Sequence, residues 1–592
     1  MTLPTTTPDL GAQALTAPVA KRQYVYPTVR PLPMTTAHPS AEAWPTARVN
    51  RVKGVAATHT ARLRSGRAAQ DSSSRFAKLQ TRMAAVEVAS RAGHERSFVV
   101  LPSRTIDKWQ EPPAETQAYE ERLLCSLLEL RDPNVRMSYV TSSPVAASII
   151  DYYLSLLPRR LRRDARSRLT LVALGEGTAR PLSEKLLERP RVLERIRRTI
   201  ADARVCHLVP YNTTTLERDV ALELGIPLDG ADPSHAYFGT KSGSRELFAA
   251  TGVPHPAGVE GITCVAAAID AIAQIRASRP GIARVVMKLN EGVSGDGNAI
   301  IDLSGLPEPG SHDERPYIAQ RVAGLEPEAS GVTAAAYLSK LASQGGIVEQ
   351  WITAPELRSP SVQLRITPLG EVQLLSTHDQ ILGGPSGQSY LGCRFPAAPS
   401  YAPEISALAQ RIGERLAGAG VIGRFAIDFV VARDDDDRWQ PFAIELNLRK
   451  GGTTHPYETL AHLTGGTYDA DSATFTTPTG QQKHYVATDH MEAPQLRELG
   501  RDGVLALTRR SDLRFNPMQR TGTVFHMLSS LDELGRTGFT AIGDSPDEAD
   551  AVYEHVQATL MSQAALLSGD GGIRTPDGLK AHTGFRNRGA AT

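Results

Sequence analysis

The spacing of apolar and polar positions changes character several times along the chain. From Ser97, short apolar runs (Ser97–Leu101, Arg136–Thr141, Arg168–Leu174, Arg204–Pro210) alternate with helical patterns such as Val145–Leu157 and Thr215–Leu224. Alternation of this kind predicts a small parallel α/β layer of Rossmann-like type over residues 94–235. Beyond it, Ala283–Leu289 and Asn298–Leu303 read as two strands, Thr333–Leu341 as helix and Gly346–Ile352 as an apolar strand. Strands Val362–Pro368 and Glu371–Thr377 follow, then an amphipathic helix, Ala402–Ala419, with Ile405, Leu408, Ile412 and Leu416 on one face. Phe425–Val431 alternates and is β-branched, Asp434–Asp437 makes a polar turn, and Pro441–Leu446 returns as the partner strand. Past Pro456, the segments Asp489–Leu499, Phe515–Leu531 and Asp547–Leu566 predict a smaller α+β appendage. The fold class is therefore α/β: a Rossmann-like domain, a two-lobed α+β domain over residues 236–475 (lobes 236–345 and 346–475), and a C-terminal unit over residues 476–567.

Neither end has this periodicity. Residues 1–93 are rich in Thr, Pro, Ala and Arg, with Asp9, Glu42 and Asp71 the only acids before Glu87, which predicts a disordered leader. A transit peptide or an arm for an anionic partner is the other reading of such a composition. Residues 568–592 are expected to be a disordered tail.

Composition narrows the function classes. With 592 residues and a net charge of +1, the chain can hold several domains and has no global attraction to nucleic acid or anionic membrane. The basic runs Arg159–Arg168 and Arg189–Arg198 are interspersed with Leu, Ile and Glu and read as solvated helix faces rather than an RNA surface. Cys125, Cys206, Cys264 and Cys393 are scattered, without zinc spacing, as expected of free thiols in a cytoplasmic protein. No apolar run approaches the roughly 18 residues of a membrane span.

The chemistry-bearing residues come in several groups. Glu445 and Asn447 project from one face of the returning strand, and Asp428 lies on its partner. Two carboxylates and an amide suit magnesium shared with phosphates better than zinc. Arg449 lies on that same face, followed by Gly451-Gly452. Lys241 and Arg245 start a helix, and Lys288 ends a strand beside the loop Asn290–Gly297, whose glycines present backbone N–H groups. Glu349 and Gln350 lie on the apolar strand, with Glu356 seven residues past Glu349. The polar stretch Gly383–Gly392, which includes Gln388 and Tyr390, has the composition of a substrate loop. Taken singly, each group also fits a plain structural role: a hairpin with solvated acids, a helix-face cation or a core strand.

Their order is more specific than any one of them. A lysine, a strand lysine with a Gly-rich loop, E-Q-W-I with a later Glu, an I-D strand and E-x-N-x-R together resemble the ATP-grasp superfamily from about Ala236 to Pro456. Runs such as Y-V-T-S-S-P, P-Y-N-T-T-T-L-E, S-T-H-D-Q-I-L-G-G and E-L-N-L-R-K-G-G-T-T-H-P are similar to the pheganomycin-type peptide ligases, in which a pre-ATP-grasp domain precedes the grasp.

This resemblance implies ATP and Mg2+ as cofactors. Lys241 and Lys288 would hold the phosphates, with Gly292, Ser294, Gly295 and Gly297 as the closing loop. Glu349, Gln350, Ile352 and Glu356 would form the adenosine site, and Asp428, Glu445 and Asn447 the metal ligands. Arg449, together with Lys288 and Arg424, would be catalytic, and His378, Gln388, Tyr390 and His455 would meet substrate. The implied reaction joins a small-molecule carboxylate to an amine or peptide through an acyl phosphate. It needs no covalent nucleophile, in keeping with the lack of a G-x-S-x-G motif. Neither nucleic acid nor membrane is an expected partner, and the oligomeric state stays open, a homo-oligomer included. Two other readings stand beside this one: an ATP-grasp enzyme with other acceptor chemistry, and a non-catalytic nucleotide-binding regulator.

Overall fold

The computed structural model describes residues 59–106, 113–292, 295–384, 387–510 and 513–568. Strands Arg96–Leu101, Val135–Thr141, Leu169–Ala173 and Cys206–Pro210 form a parallel sheet with the third, second, first and fourth strands in that spatial order. The helix Thr215–Leu224 has the predicted limits because Thr214 caps it with Glu217 in a capping box and Gly225 ends it at φ 68°. Arg197 and Arg198 of the second basic run are exposed and pair with Glu194, as solvated faces do, whereas Arg168, at the end of the first, is buried and donates to the Leu130 and Val135 carbonyls.

One expectation is corrected here. Part of the stretch read as a disordered leader forms two helices, His59–Gln80 and Met83–Arg91. Phe76, Met83 and Val86 are buried, and Phe76 joins the core between the parallel sheet and its helices. A few well-spaced apolar side chains docking on an existing core outweigh a polar composition. Residues 1–58 and 569–592 lie outside the described residues.

The first lobe is a five-stranded antiparallel sheet, ordered Gly258–Ile262, Gly346–Gln350, Arg284–Leu289, Asn298–Asp302, Glu326–Pro327. Helices Val265–Ser278 and Ala334–Gln344 cover it, with Ile272, Val285, Tyr337 and Val348 in its core. The second lobe belongs to a nine-stranded sheet. Glu356–Arg358 and Trp439–Asn447 both pair with Gly423–Arg433, and then come Pro360–Ile366, Val372–Gly383 and Ser389–Phe395. Helix Ala402–Gly418 lays the predicted Ile405, Leu408, Ile412 and Leu416 on this sheet, all buried.

The C-terminal strands His484–Glu492, Arg536–Gly543 and Gly522–His526 continue the same sheet. Their helices, Leu496–Arg510 and Pro546–Leu567, share one apolar core with Phe98, Tyr153 and Leu169 of the parallel layer. The first and last parts of the chain thereby clamp the middle. No helix among the described residues is long and apolar enough to cross a membrane.

Candidate active site

The hairpin Gly423–Arg433/Trp439–Asn447 sets the acids. Its register places Asp428 opposite Glu445 and Ala426 opposite Asn447, so the three polar groups share one face beside a bulge at Asp428/Phe429. Asn447 Nδ2 and Gln380 Nε2 each donate to Asp428, both at 2.8 Å. Arg449 donates to Asn447 Oδ1. Burial, with Glu445 across the ladder, pushes the Asp428 carboxyl up to about 7. Burial also works against a charge on Glu445, yet Lys241 and Arg449 hold its carboxyl below the usual range. Lys241 Nζ is 2.7 Å from Glu445 Oε1.

The first lobe supplies the facing wall. Lys288, on the strand before the glycine-rich loop, lies 2.5 Å from Glu349 Oε1, and Arg245 reaches Glu349 Oε2 at 2.9 Å. Glu349 is buried between these two cations, which keeps Lys288 fixed on the cleft wall. Its side chain is thus engaged by protein cations on both oxygens. The N–H groups of Gln350 and Trp351 donate to Ala257 and Arg284 carbonyls at 2.7 and 3.2 Å. Gly295, at φ 82°, brings the loop against Gln388; a Cβ there would lie 3.2 Å from the Gln388 side chain. Asn298 Nδ2 donates to Gln388 Oε1 at 2.7 Å, so the loop of one lobe is latched to the other. Gly452 packs flat on the Tyr390 ring, where a Cβ would meet the ring at 2.5 Å.

These groups surround one cleft of about 720 Å³. Lys241, Lys288, Gly292, Gly295, Gly297, Glu349, Gln350, Ile352, Gln388, Tyr390, Asp428, Glu445, Asn447 and Arg449 line it together. Ser294 lies outside the described residues.

Four expected site residues are not on its wall. Glu356 pairs with Arg433 at 3.0 Å and Arg358 at 2.6 Å. Arg424 shares the face of Asp428 but is taken up by Glu458 at 3.1 Å. His378 is fully buried against Phe395 and bonded to Tyr485 Oη at 2.7 Å, and burial pushes its imidazole down to about 3. His455 is buried beside Asp489, its Nε2 at 3.1 Å, and burial likewise lowers it to about 4. The run S-T-H-D-Q has a polar appearance that conceals the burial of His378, because the rings packed on it, Phe395 and Tyr485, come from other strands.

Other groups were missed. Gln380 lies in the run S-T-H-D-Q-I-L-G-G but was given no role, although its place two residues past His378 puts it on the same strand face. Arg104, Tyr119, Arg122 and Tyr211 also line the cleft, from the parallel layer, and no sequence pattern links them.

The donor set fits a divalent cation. Asp428 and Glu445 offer carboxylate oxygens across one ladder and Asn447 its amide oxygen, a hard-oxygen set on one face. His455, Asp489 and His526 also lie within reach of a common point. There Arg122 already sits 2.5 Å from Asp489, which matches the acid's charge with a guanidinium.

A family model described as IQCH-like, ATP-grasp matches residues 234–321 and 312–471, and one for the PGM1 C-terminal domain matches residues 504–556. The chain is 31% identical over 448 residues to L-propargylglycine–L-glutamate ligase of Streptantibioticus cattleyicolor, spanning 74% of this chain and 89% of that protein. It is 27% identical over 396 residues to IQ motif-containing protein H of Danio rerio, spanning 60% of this chain and 37% of that protein. Among solved structures, biotin carboxylase of Campylobacter jejuni in a β-γ-ATP complex is similar, with a TM-score of 0.47 and 12% identity over 78% of this chain and 90% of that one.

Proposed function

This chain belongs to the ATP-grasp ligase family, and from that membership we propose that it joins a substrate carboxylate to an amine with cleavage of ATP to ADP and phosphate. The observation that carries the reading is the facing arrangement in one cleft: Asp428, Glu445 and Asn447 on the hairpin, Lys241 on Glu445, and Lys288 on the opposite lobe.

Phosphoryl transfer asks a protein mainly for position and charge. Lys241 and Lys288 would set the phosphates between the lobes, each already oriented by a carboxylate partner. The stretch from Ile352 would face the adenine, because the two preceding N–H groups are committed elsewhere. Asp428, Glu445 and Asn447 would hold Mg2+, which would supply charge neutralisation for the phosphates. Arg449, fixed by Asn447, would stabilise the phosphoryl group in flight. The γ-phosphoryl passes to the substrate carboxylate oxygen, giving an acyl phosphate and ADP. The amine nitrogen then attacks the acyl carbon, phosphate leaves, and the nitrogen gives up its proton. The Gly295–Gln388 latch would keep water from the acyl phosphate during that interval.

A pairwise screen of amino acids and short peptides for ADP release, followed by product mass, tests the reading. An amide product whose formation equals the ADP released is the expected result. ADP release with a carboxylated or phosphorylated product, or nucleotide binding without any release, would replace it.

A further inference from the structure

The side chain of Gln380 is held by a single bond. Its Nε2 donates to Asp428 Oδ1 at 2.8 Å, and among the described residues that side chain has no other hydrogen bond. Gln380 lies on the strand Val372–Gly383, two strands away from the one that carries Asp428, yet both residues line the cleft. The ladders explain the reach. Ser361, on the strand between them, stands opposite Asp428 on one side and His378 on the other. Gln380, two residues past His378, therefore shares the face of Asp428. Ser361 is small and buried, which leaves room for a long side chain to pass to the carboxylate.

Asp428 is thereby engaged on both oxygens. Gln380 Nε2 donates to Oδ1 and Asn447 Nδ2 to Oδ2, each at 2.8 Å. A carboxylate with one donor turns easily about its Cβ–Cγ bond, because that torsion is soft. With an amide on each oxygen, turning breaks both bonds. Each oxygen of an ionised carboxylate has about two lone-pair sites, so neither amide exhausts the oxygen it binds. The row continues to Arg449. Asn447 gives its Nδ2 to Asp428 and accepts Arg449 on Oδ1, which sets which way round its amide stands. Gln380 is the anchor at the far end of this row.

We propose that Gln380 is a positioning residue of the divalent-cation site: it keeps Asp428, and through it Asn447, at a fixed angle and so favours Mg2+ over a larger ion such as Ca2+. The proposal rests on the ligase reading for the place of the cation beside the nucleotide. Mg2+ demands a near-ideal arrangement of oxygens at short distance, whereas Ca2+ accepts longer and less regular ones. A carboxylate free to turn therefore costs Mg2+ more than Ca2+. An amide suits this place better than an acid, since an ionised Glu could not donate to Asp428.

Calorimetry on the full chain tests this without turnover. A non-hydrolysable ATP analogue is titrated alone, with Mg2+ and with Ca2+. Gln380→Met, similar in length and without a donor, is expected to weaken the Mg2+ complex by about tenfold and the Ca2+ complex by less than about threefold. Affinity for the metal-free analogue stays within about twofold of wild type. Gln380→Ala should narrow the selectivity to the same degree, so the result does not depend on how Met packs. The proposal is overturned if the variants bind both complexes as wild type does, if they weaken both equally, or if the metal-free analogue is weakened as much as its Mg2+ complex. A wild type whose affinity does not rise with Mg2+ would overturn the metal assignment and this role together. Selectivity that changes as expected, with no ADP release from any substrate pair, would sink the ligase reading and leave the role of Gln380 standing.

Discussion

Two acids, Asp428 on the wall of the cleft and Asp489 paired with Arg122 of that wall, end up in opposite electrostatic states. Asp428 faces Glu445 across a β-ladder, and burial beside that second acid raises its carboxyl to about 7. Asp489 is more deeply buried, yet Arg122 and His455 hold it well below the usual carboxylate range. Burial alone raises a carboxyl, so the neighbours decide the outcome. An acid set against another acid is arranged for a cation that comes from outside. An acid set against a guanidinium is already matched and acts as scaffold. The first lies where the phosphates are proposed to bind, and the second fixes Arg122 on the cleft wall.

The largest effect expected from this contrast is at Glu445. Glu445→Ala should lower the rate of ADP formation by roughly 10³-fold, about 4 kcal/mol, while the unfolding midpoint stays near wild type. Retained turnover in a coupled ADP assay would remove the metal assignment. Asp489→Asn should do the reverse: it leaves Arg122 buried without its counter-charge and should cost about 3 kcal/mol of stability in urea unfolding. A variant as stable as wild type would show that Asp489 is not scaffold.

A third test concerns His378, which does not line the cleft. Its folded pKa, about 3, lies below the unfolded value. The folded state therefore holds fewer protons, and the stability this histidine contributes is present above about pH 6.5 and is lost as pH falls toward 3. Relative to wild type, His378→Gln should gain about 2 kcal/mol between pH 8 and pH 5. A difference that does not change with pH would mean that the ring is reached by solvent. The smallest effect is expected at Glu356, whose carboxylate is shared between Arg358 and Arg433. Glu356→Gln should change the KM for ATP by less than about threefold, the scale of a partly exposed ion pair. A tenfold rise would mean that Glu356 turns to the ribose when nucleotide binds.

Much of the fold was legible. The hairpin around Asp428 and Glu445, the helix Ala402–Gly418 and the strands of the parallel layer lie within a few residues of their predicted limits, because period-2 and period-3.6 patterns are local. That Lys241, Lys288, Asp428, Glu445 and Arg449 would meet in one cleft was legible for a related reason: they fall in one stretch and in a recognisable order. The leader was misread over 59–91 because a few apolar anchors in a polar stretch reveal nothing until the core they fill is known. Gly383–Gly392 was taken for a loop, although Ser389–Phe395 pairs with Val372–Gly383 and with His484–Glu492, a partner about a hundred residues away.

By itself, then, the sequence determined the succession of elements, the oxygen-bearing side chains on one hairpin face and the family to which they point. Each of these depends on residues a few positions apart. The tertiary structure alone decided which histidines are core, that Glu349 steadies Lys288, and that the sheet runs on into the C-terminal strands. It alone brought Arg104, Tyr119, Arg122 and Asp489 together. Burial and charge pairing depend on neighbours supplied by distant segments, and these become fixed only when the first and last parts of the chain close on a common core.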